Sequence, residues 1–295
     1  MTAKGPASTT STTALTATAP LPWGRYALIT LGLSFLALVV LFPLLNVLYQ
    51  AFQGGLGAYW QGISNPEARS AIFLTLLVVM VVVPVNTVFG VLVAWVLARY
   101  QFPGKVIFLG ILDLPFAISP VVAGMMYVIV YSPTKGILGP WLDSLHIRIL
   151  FAPLGVILVT LFVTLPFVAR EVLPVLQELG DEEEQAAATL GASPWETFWY
   201  VTLPNIRWAL LYGVILCTAR ALGEFGAVSV VSGKLINQTE TLTLHIEQVY
   251  SEYQTVAAFA CASLLTLLAV VTLVIQEFIK SKEPSTELEE KPGGV

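Results

Sequence analysis

The sequence has few charged residues: 11% of its 295 residues are Asp, Glu, Lys or Arg, whereas 56% are hydrophobic. Soluble globular domains carry about 25% charged residues, so this chain has too few charges to cover a globule in water. The charges are also clustered, which leaves long apolar stretches between them. Lipid is the solvent for such stretches when they cross a bilayer. The composition therefore predicts an integral membrane protein rather than a soluble helical protein with an oversized core.

Residues and motifs that carry chemistry are equally scarce. Two cysteines and two histidines occur, and they form no cluster with metal-ligand spacing. The sequence contains neither a Gly-x-x-x-x-Gly-Lys-Ser/Thr phosphate loop nor a His-Glu-x-x-His pair. The net charge of -5 argues against a nucleic-acid partner. We therefore expect no catalytic residue, no metal site and no cofactor in this chain, and any ATP that drives it must bind to another chain.

Six apolar segments follow a Ser-, Thr- and Ala-rich tail at 1–22, which we expect to be disordered. Each segment approaches or exceeds the ~20 residues that cross a hydrocarbon core. The segments lie at about 26–49, 71–98, 106–131, 150–172, 207–231 and 255–279. The sequence thus predicts an all-α integral membrane protein with six transmembrane helices. The first helix and an outer loop occupy 23–70, the transmembrane core occupies 71–279, and a second tail covers 280–295.

Basic residues predict the orientation of the six helices. With the N-terminus in the cytoplasm, the inner side holds Lys4, Arg25, Arg99, Lys105, Arg170, Arg207, Lys280, Lys282 and Lys291. The outer loops then hold Arg69, Lys135, Arg148 and Lys234. Because Lys and Arg concentrate on the cytoplasmic side of membrane proteins, this distribution predicts that both termini are cytoplasmic. Kinks are expected at the prolines inside the segments, which are Pro43, Pro84, Pro115 and Pro120.

The loop between the fourth and fifth segments, at about 178–204, contains two helix-start signatures. Asp181 with Glu184 forms one potential capping box, and Ser193 with Glu196 forms a second. Gly191 suits the left-handed position that ends the first of these helices. The alternative is a generic acidic loop exposed to solvent. The capping signals favour a short helix, a glycine break and a second helix, which Leu203-Pro204 ends or kinks.

The alanine run of this loop carries a resemblance to a known family. Gln185-Ala186-Ala187-x-x-x-Gly191, followed after nine residues by Val201-Thr202-Leu203-Pro204, resembles the Glu-Ala-Ala loop of ABC-importer permeases. In that family this loop forms the coupling helix that docks on the ATPase subunit. The resemblance implies ATPase coupling by Glu184, Gln185, Ala186, Ala187, Gly191, Leu203 and Pro204. One position departs from the family pattern, because Gln185 stands where the family has glutamate, with Glu184 adjacent.

A second resemblance lies in the fifth segment. Arg220-Ala221-Leu222-Gly223-Glu224-Phe225-Gly226, the following Val228-Ser229-Val230-Val231-Ser232-Gly233 and the later Thr241-Leu242-Thr243-Leu244-His245-Ile246-Glu247 are similar to sulfate/thiosulfate permeases of the CysW type. The resemblance implies a MetI-like ABC type I importer permease in the bacterial cytoplasmic (inner) membrane, surrounded by lipid. It also implies a second permease of the CysT type, two ATPase subunits and an extracytoplasmic sulfate/thiosulfate-binding protein as partners. A molybdate or tungstate permease is the first alternative.

The fifth segment also contains two charges in an apolar setting. Arg220 and Glu224 are expensive to expose to lipid, so they should face protein or a water-filled path. Four residues apart in a helix, they lie on one face and can pair. They serve either as a fixed salt bridge or in the anion path. The expected path or gate comprises Arg220, Glu224, Gly223, Gly226, Ser229 and Ser232, although serine hydroxyls in helices often bond to their own backbone.

A secondary anion transporter is the alternative from a different class. It would have internal inverted repeats and paired broken helices. The sequence shows neither to inspection.

Overall fold

The computed structural model describes residues 22–280, and every regular element in that range is a helix. The tails expected at 1–22 and 280–295 lie outside the described residues, except where Pro22 begins the first helix and Lys280 ends the last. The chain divides into two compact units, 1–46 and 47–295.

The described part of the first unit is one apolar helix. It comprises α1 (Pro22–Leu36), a π-helical turn (Ala37–Leu41) and the beginning of α2 (Phe42–Phe52). In the π-helical turn the Phe42 N–H donates to the Ala37 carbonyl. This turn comes directly before Phe42-Pro43. Because a proline displaces the carbonyl four residues before it, the wider turn accommodates Pro43 without ending the helix.

The second unit contains the remaining helices. They are α3 (Gly55–Ser64), α4 (Pro66–Arg99), α5 (Lys105–Ala117), α6 (Pro120–Tyr131), α7 (Gly139–Ser144), α8 (Pro153–Leu179), α9 (Glu182–Thr189), α10 (Pro194–Thr197), a π-helical turn (Phe198–Thr202), α11 (Leu203–Leu222), α12 (Gly226–Val231), α13 (Leu242–Ser251) and α14 (Thr255–Lys280). The long helices α4, α8 and α11 pack together and form most of the core. Asn86 of α4 joins them, because its Nδ2 donates to Thr164 Oγ1 at 2.7 Å and lies 3.9 Å from Cys217 Sγ.

Five described helices are long and apolar enough to cross a membrane, and a bent pair makes up to six. The five are Trp23–Phe52, Pro66–Arg99, Pro153–Leu179, Pro194–Leu222 and Thr255–Phe278. The bent pair is Lys105–Ala117 with Pro120–Tyr131, whose axes differ by 110°. All-helical architecture is therefore confirmed. The predicted segment 106–131 is a broken helix, because Pro120 forces Ser119 before it into extended backbone with ψ 136°.

Candidate functional site

In the loop that is predicted to couple to an ATPase, the first short helix ends at Gly191, as the sequence predicts. Helix α9 ends in a left-handed turn, with φ +91° at Gly191. The Gly191 N–H donates to Ala188 O at 3.0 Å, and the Ala192 N–H donates to Ala187 O at 3.1 Å. This bond pair is the Schellman arrangement that closes a helix C-terminus. The predicted helix end at Gly191 is confirmed.

Only one of the two predicted capping boxes forms. Ser193 Oγ accepts from the Glu196 N–H, while the Glu196 carboxylate accepts from the Ser193 N–H at 2.8 Å. Pro194 occupies the first turn of α10, as the sequence indicates. The box predicted at Asp181 and Glu184 is wrong. The Asp181 side chain does not cap α9 and instead accepts from Gln185 Nε2 at 2.7 Å.

Glu184 is drawn away from Asp181 by Arg99, the last residue of α4. The Arg99 Nε and Nη2 atoms each lie 2.9 Å from one Glu184 carboxylate oxygen, which is a bidentate pair. Glu184 also accepts from Thr202 Oγ1 at 2.9 Å, and Arg99 Nη1 donates to Leu176 O at 2.9 Å. The Arg99 and Glu184 side chains are only 11% and 17% exposed. This network, the Arg99–Glu184 clamp, ties α9 to α4, α8 and the turn that begins α11.

The clamp includes two residues that sequence reasoning missed. In the sequence, Arg99 was only one of the basic residues that predict the orientation of the helices. Thr202 was named only as part of the Val201-Thr202-Leu203-Pro204 motif. An arginine at the end of a span is a common interface anchor. Its partner 85 positions later became visible only in the fold. The sequence held one signal of this pair, the acidic run at 182–184. That run contains more acids than a single helix start requires, which indicates that one of them has another partner.

The opposite face of α9 is open. Gln185, Ala186, Ala188 and Thr189 are exposed, whereas Ala187 is half-buried on the same side as Glu184. Large apolar side chains in the segment that follows α9 are also exposed: Leu190 is 89% exposed, Trp195 69% and Tyr200 80%. Exposed apolar side chains grouped in this way are typical of contact surfaces.

The sequence predicts that Leu203-Pro204 ends or kinks the second helix of this loop. The helix does not end there, so the predicted helix end is wrong. A π-helical turn over Phe198–Thr202 precedes the proline, and the Leu203 N–H donates to Phe198 O. The helix then continues unbroken to Leu222. The proline is therefore accommodated by the same distortion that precedes Pro43.

Arg220 and Glu224 pair as predicted, with Arg220 Nη1 2.5 Å from Glu224 Oε2. They do not share a helix face, because α11 ends at Leu222 and Glu224 lies in the break that follows. The Glu224 side chain is 1% exposed and that of Arg220 is 30% exposed. The second Glu224 oxygen accepts from the Ala227 N–H at 2.9 Å. Glu224 therefore joins the end of α11 to the first turn of α12.

Two broken helices meet at this point. A Cβ at Gly226 would lie 2.9 Å from Pro120 Cβ, and one at Gly124 would lie 2.8 Å from Ala227 O, so both glycines permit close contact between α6 and α12. The bend at Ser119 therefore lies beside the α11–α12 break. Irregular backbone within a membrane is tolerated only when it is buried in protein or lines a water-filled cavity. A Cβ at Gly223 would lie 3.7 Å from Ala219 O, an ordinary contact, so this glycine is not required by close packing and its role is in the break.

The two serines of the expected path are bonded within the chain. Ser229 Oγ donates to Gly226 O at 2.8 Å. Ser232 is buried, and its Oγ accepts from the Lys234 N–H at 3.0 Å. Contact of either hydroxyl with an anion stays a prediction.

The segment after α12 is anchored by buried polar groups. Thr75 Oγ1 of α4 accepts from the Leu242 N–H at 2.8 Å, and Thr243 Oγ1 donates to Glu224 O at 2.8 Å. His245 Nδ1 lies 3.4 Å from Glu240 Oε2, with both side chains buried. Burial lowers the pKa of His245, but interactions with Cys261 and Glu240 outweigh it and raise that pKa to about 9. No group of three His, Cys, Asp or Glu side chains suited to a metal ion occurs within residues 22–280.

The described fold is that of an all-helical membrane protein with a capped loop clamped to its core and two broken helices packed side by side. The family model for the binding-protein-dependent transport system inner membrane component matches residues 86–283. The chain belongs to this family.

Individual relatives extend the similarity beyond that region. The chain is 55% identical over 258 residues to the sulfate transport system permease protein CysW of Synechocystis sp., covering 88% of this chain and 93% of that protein. It is 48% identical over 261 residues to CysW of Escherichia coli, covering 88% and 89%. It is 39% identical over 251 residues to the sulfate transport system permease protein CysT of Escherichia coli, covering 85% and 90%.

A solved structure shares the fold. In a bacterial alginate ABC transporter crystallised with its alginate pentasaccharide-bound periplasmic protein, one chain superposes with a TM-score of 0.70 at 18% identity. The match covers 88% of this chain and 93% of that chain.

Proposed function

We propose that this chain is one permease subunit of an ATP-driven importer of sulfate or thiosulfate. The observation that carries this proposal is the 55% identity to a CysW permease over nearly the whole length of both proteins. The identity to CysT is lower, 39%, which supports the CysW rather than the CysT position in the complex. The partners are then a CysT-type permease, two ATPase subunits and an extracytoplasmic sulfate/thiosulfate-binding protein. The complex lies in a bacterial inner membrane with both termini of this chain cytoplasmic.

The exposed face of α9 supports docking on an ATPase. Its alanines leave little bulk along the helix, while Leu190 and Trp195 offer apolar anchors beside it. Large apolar side chains in a groove dominate the energetics of protein interfaces. The Arg99–Glu184 clamp is the complementary feature on the inner side. We infer that it transmits movement of the docked helix to α4, α8 and α11.

A secondary anion transporter is the second candidate, because the structure contains the adjoining broken helices that the sequence did not reveal. Breaks at Ser119 and at Gly223 lie side by side, as expected for half-helices that surround a substrate. The two candidates differ in their energy source. An importer requires ATP hydrolysis on a partner, whereas a secondary transporter works alone with an ion gradient.

We expect labelled sulfate to accumulate in proteoliposomes only when the complete complex, its binding protein and ATP are present. The reason is that the sequence has no phosphate-binding loop of its own. The measurement compares the complete complex, a complex with an inactive ATPase, and this chain alone under an imposed proton or sodium gradient. Uphill uptake by the chain alone would establish the secondary transporter. Competition by unlabelled thiosulfate and molybdate would separate the oxyanion alternatives.

A charge exchange tests the clamp. Arg99→Glu and Glu184→Arg each place like charges together in a partly buried site, so both single variants should lose coupling. The double variant Arg99→Glu/Glu184→Arg restores opposite charges and should recover part of it. Coupling energies between sites typically correspond to about 5- to 150-fold, so we expect at least a fivefold fall in sulfate transported per ATP hydrolysed.

The ratio of transport to hydrolysis separates coupling from mere folding, since loss of folded complex lowers both quantities together. Glu277→Gln is the control, because this acid of α14 is exposed, lies outside the coupling loop and forms no ion pair or side-chain hydrogen bond with a described residue. An unchanged ratio in both single variants would exclude a transmitting role for the clamp.

A further inference from the structure

A groove lies between α3 and the first three turns of α4, away from the coupling loop and the helix breaks. It has a volume of about 440 Å³. Its walls include Trp60 and Ser64 from α3, together with Arg69, Ile72, Phe73 and Leu76 from α4. Phe73 is 68% exposed and Leu76 is 46% exposed. The groove is therefore open and mainly apolar, and Arg69 is the polar end of its α4 wall.

Three hydrogen-bond donors line this groove. They are the Trp60 indole N–H, the Ser64 hydroxyl and the Arg69 guanidinium. None of these side chains forms a hydrogen bond or ion pair with a residue in 22–280. A guanidinium and two neutral donors together suit the oxygens of a phosphate.

The polar end lies at headgroup depth. Arg69 and Arg99 stand 30 residues apart in the continuous helix α4, which corresponds to about 45 Å along the axis. That length matches a bilayer including its headgroup regions, about 40–45 Å. With Arg99 at the coupling face, Arg69 lies at the opposite headgroup region. Ile72, Phe73 and Leu76 follow at helical spacing and lead toward the hydrocarbon.

We propose that this groove binds an anionic phospholipid. The phosphate contacts Arg69, Ser64 and Trp60, and one acyl chain lies along Ile72, Phe73 and Leu76. The unpaired guanidinium favours a lipid over an apolar protein helix as the occupant. A helix packed here would remove Arg69 from water without offering it a negative partner, which is costly. A phosphodiester supplies that charge, and its acyl chain covers the exposed Phe73.

The test uses the intact importer complex purified from bilayers that contain phosphatidylglycerol and phosphatidylethanolamine in equal amounts. Native mass spectrometry then counts the lipids that remain bound. We expect the wild-type complex to retain phosphatidylglycerol over phosphatidylethanolamine by about fivefold, the scale of the attraction between one arginine and an anionic lipid surface. Both lipids offer a phosphate, but the ammonium group of phosphatidylethanolamine cancels its charge. Arg69→Gln should remove this preference and Arg69→Lys should keep part of it. Lys135→Gln, an exposed cation outside the groove, should have no effect.

A second variant and a crosslink complete the test. Leu76→Trp fills the apolar wall and should reduce retention of both lipids while the complex remains assembled. A photocrosslinking residue at position 73 should capture lipid. Equal retention of the two lipids by the wild type would overturn the proposal, as would an unchanged preference in Arg69→Gln. A crosslink from position 73 to a protein chain would assign the groove to a partner subunit instead.

Discussion

Ala186→Trp is expected to abolish ATP-driven sulfate uptake while leaving the permease folded and inserted. Ala186 is exposed on the open face of α9, so a tryptophan there extends toward solvent rather than into the permease core. It would instead hold the helix away from a docked ATPase, because close packing tolerates no added bulk at an interface. The measurement is stimulation of ATP hydrolysis by the loaded binding protein, together with co-purification of the ATPase.

Ala187→Trp is the informative comparison for this prediction. Ala187 is half-buried and shares the inner side of α9 with Glu184. A tryptophan there should disturb the Arg99–Glu184 clamp and lower the thermal stability of the permease, which Ala186→Trp should not do. Thr134→Trp, in an exposed loop outside the coupling region, controls for the added aromatic side chain. Wild-type stimulation by Ala186→Trp would count against docking through the open face of α9.

The two capping boxes show what local sequence can and cannot predict. Ser193 and Glu196 have no competing partner, so the local signature decides and the box forms. Asp181 and Glu184 carry an equally good signature, but Arg99 offers Glu184 a bidentate partner in a site with little water. Arg99 gives Glu184 two charge-assisted bonds through its planar fork, whereas a capping box would give it a single bond to one backbone N–H. The long-range contact therefore wins, and three-residue spacing could not reveal it.

The apolar segments show the same limit at the scale of whole helices. Hydropathy correctly placed apolar sequence at 106–131 and 207–231, yet both segments are broken. The signals were present, since a proline restricts the residue before it and a glycine weakens a helix. Pro43 and Pro204 gave similar signals without breaking their helices, because a π-helical turn precedes each one. Tertiary packing, here α6 against α12, decides which proline or glycine becomes a break.

The largest effect on assembly is expected from Arg220→Met alone. Removing one partner of a buried ion pair typically costs about 3–5 kcal/mol, because the other charge is left uncompensated. Glu224 is the more deeply buried partner, so loss of Arg220 should be worse than loss of Glu224. Glu224→Gln should cost less, since the amide oxygen can still accept from the Ala227 N–H that holds the start of α12. Thermal unfolding of the purified complex measures both.

The double variant Arg220→Met/Glu224→Gln separates a structural role from a transport role. Both charges are absent, so no buried charge is left unpaired and the α12 contact is kept. We expect assembly to recover. We expect sulfate uptake to remain absent, because the Arg220 side chain, 30% exposed at the end of α11, is then no longer available to a passing anion. Recovered uptake in the double variant would make the pair purely structural. Wild-type assembly and uptake in both single variants would rule out either role.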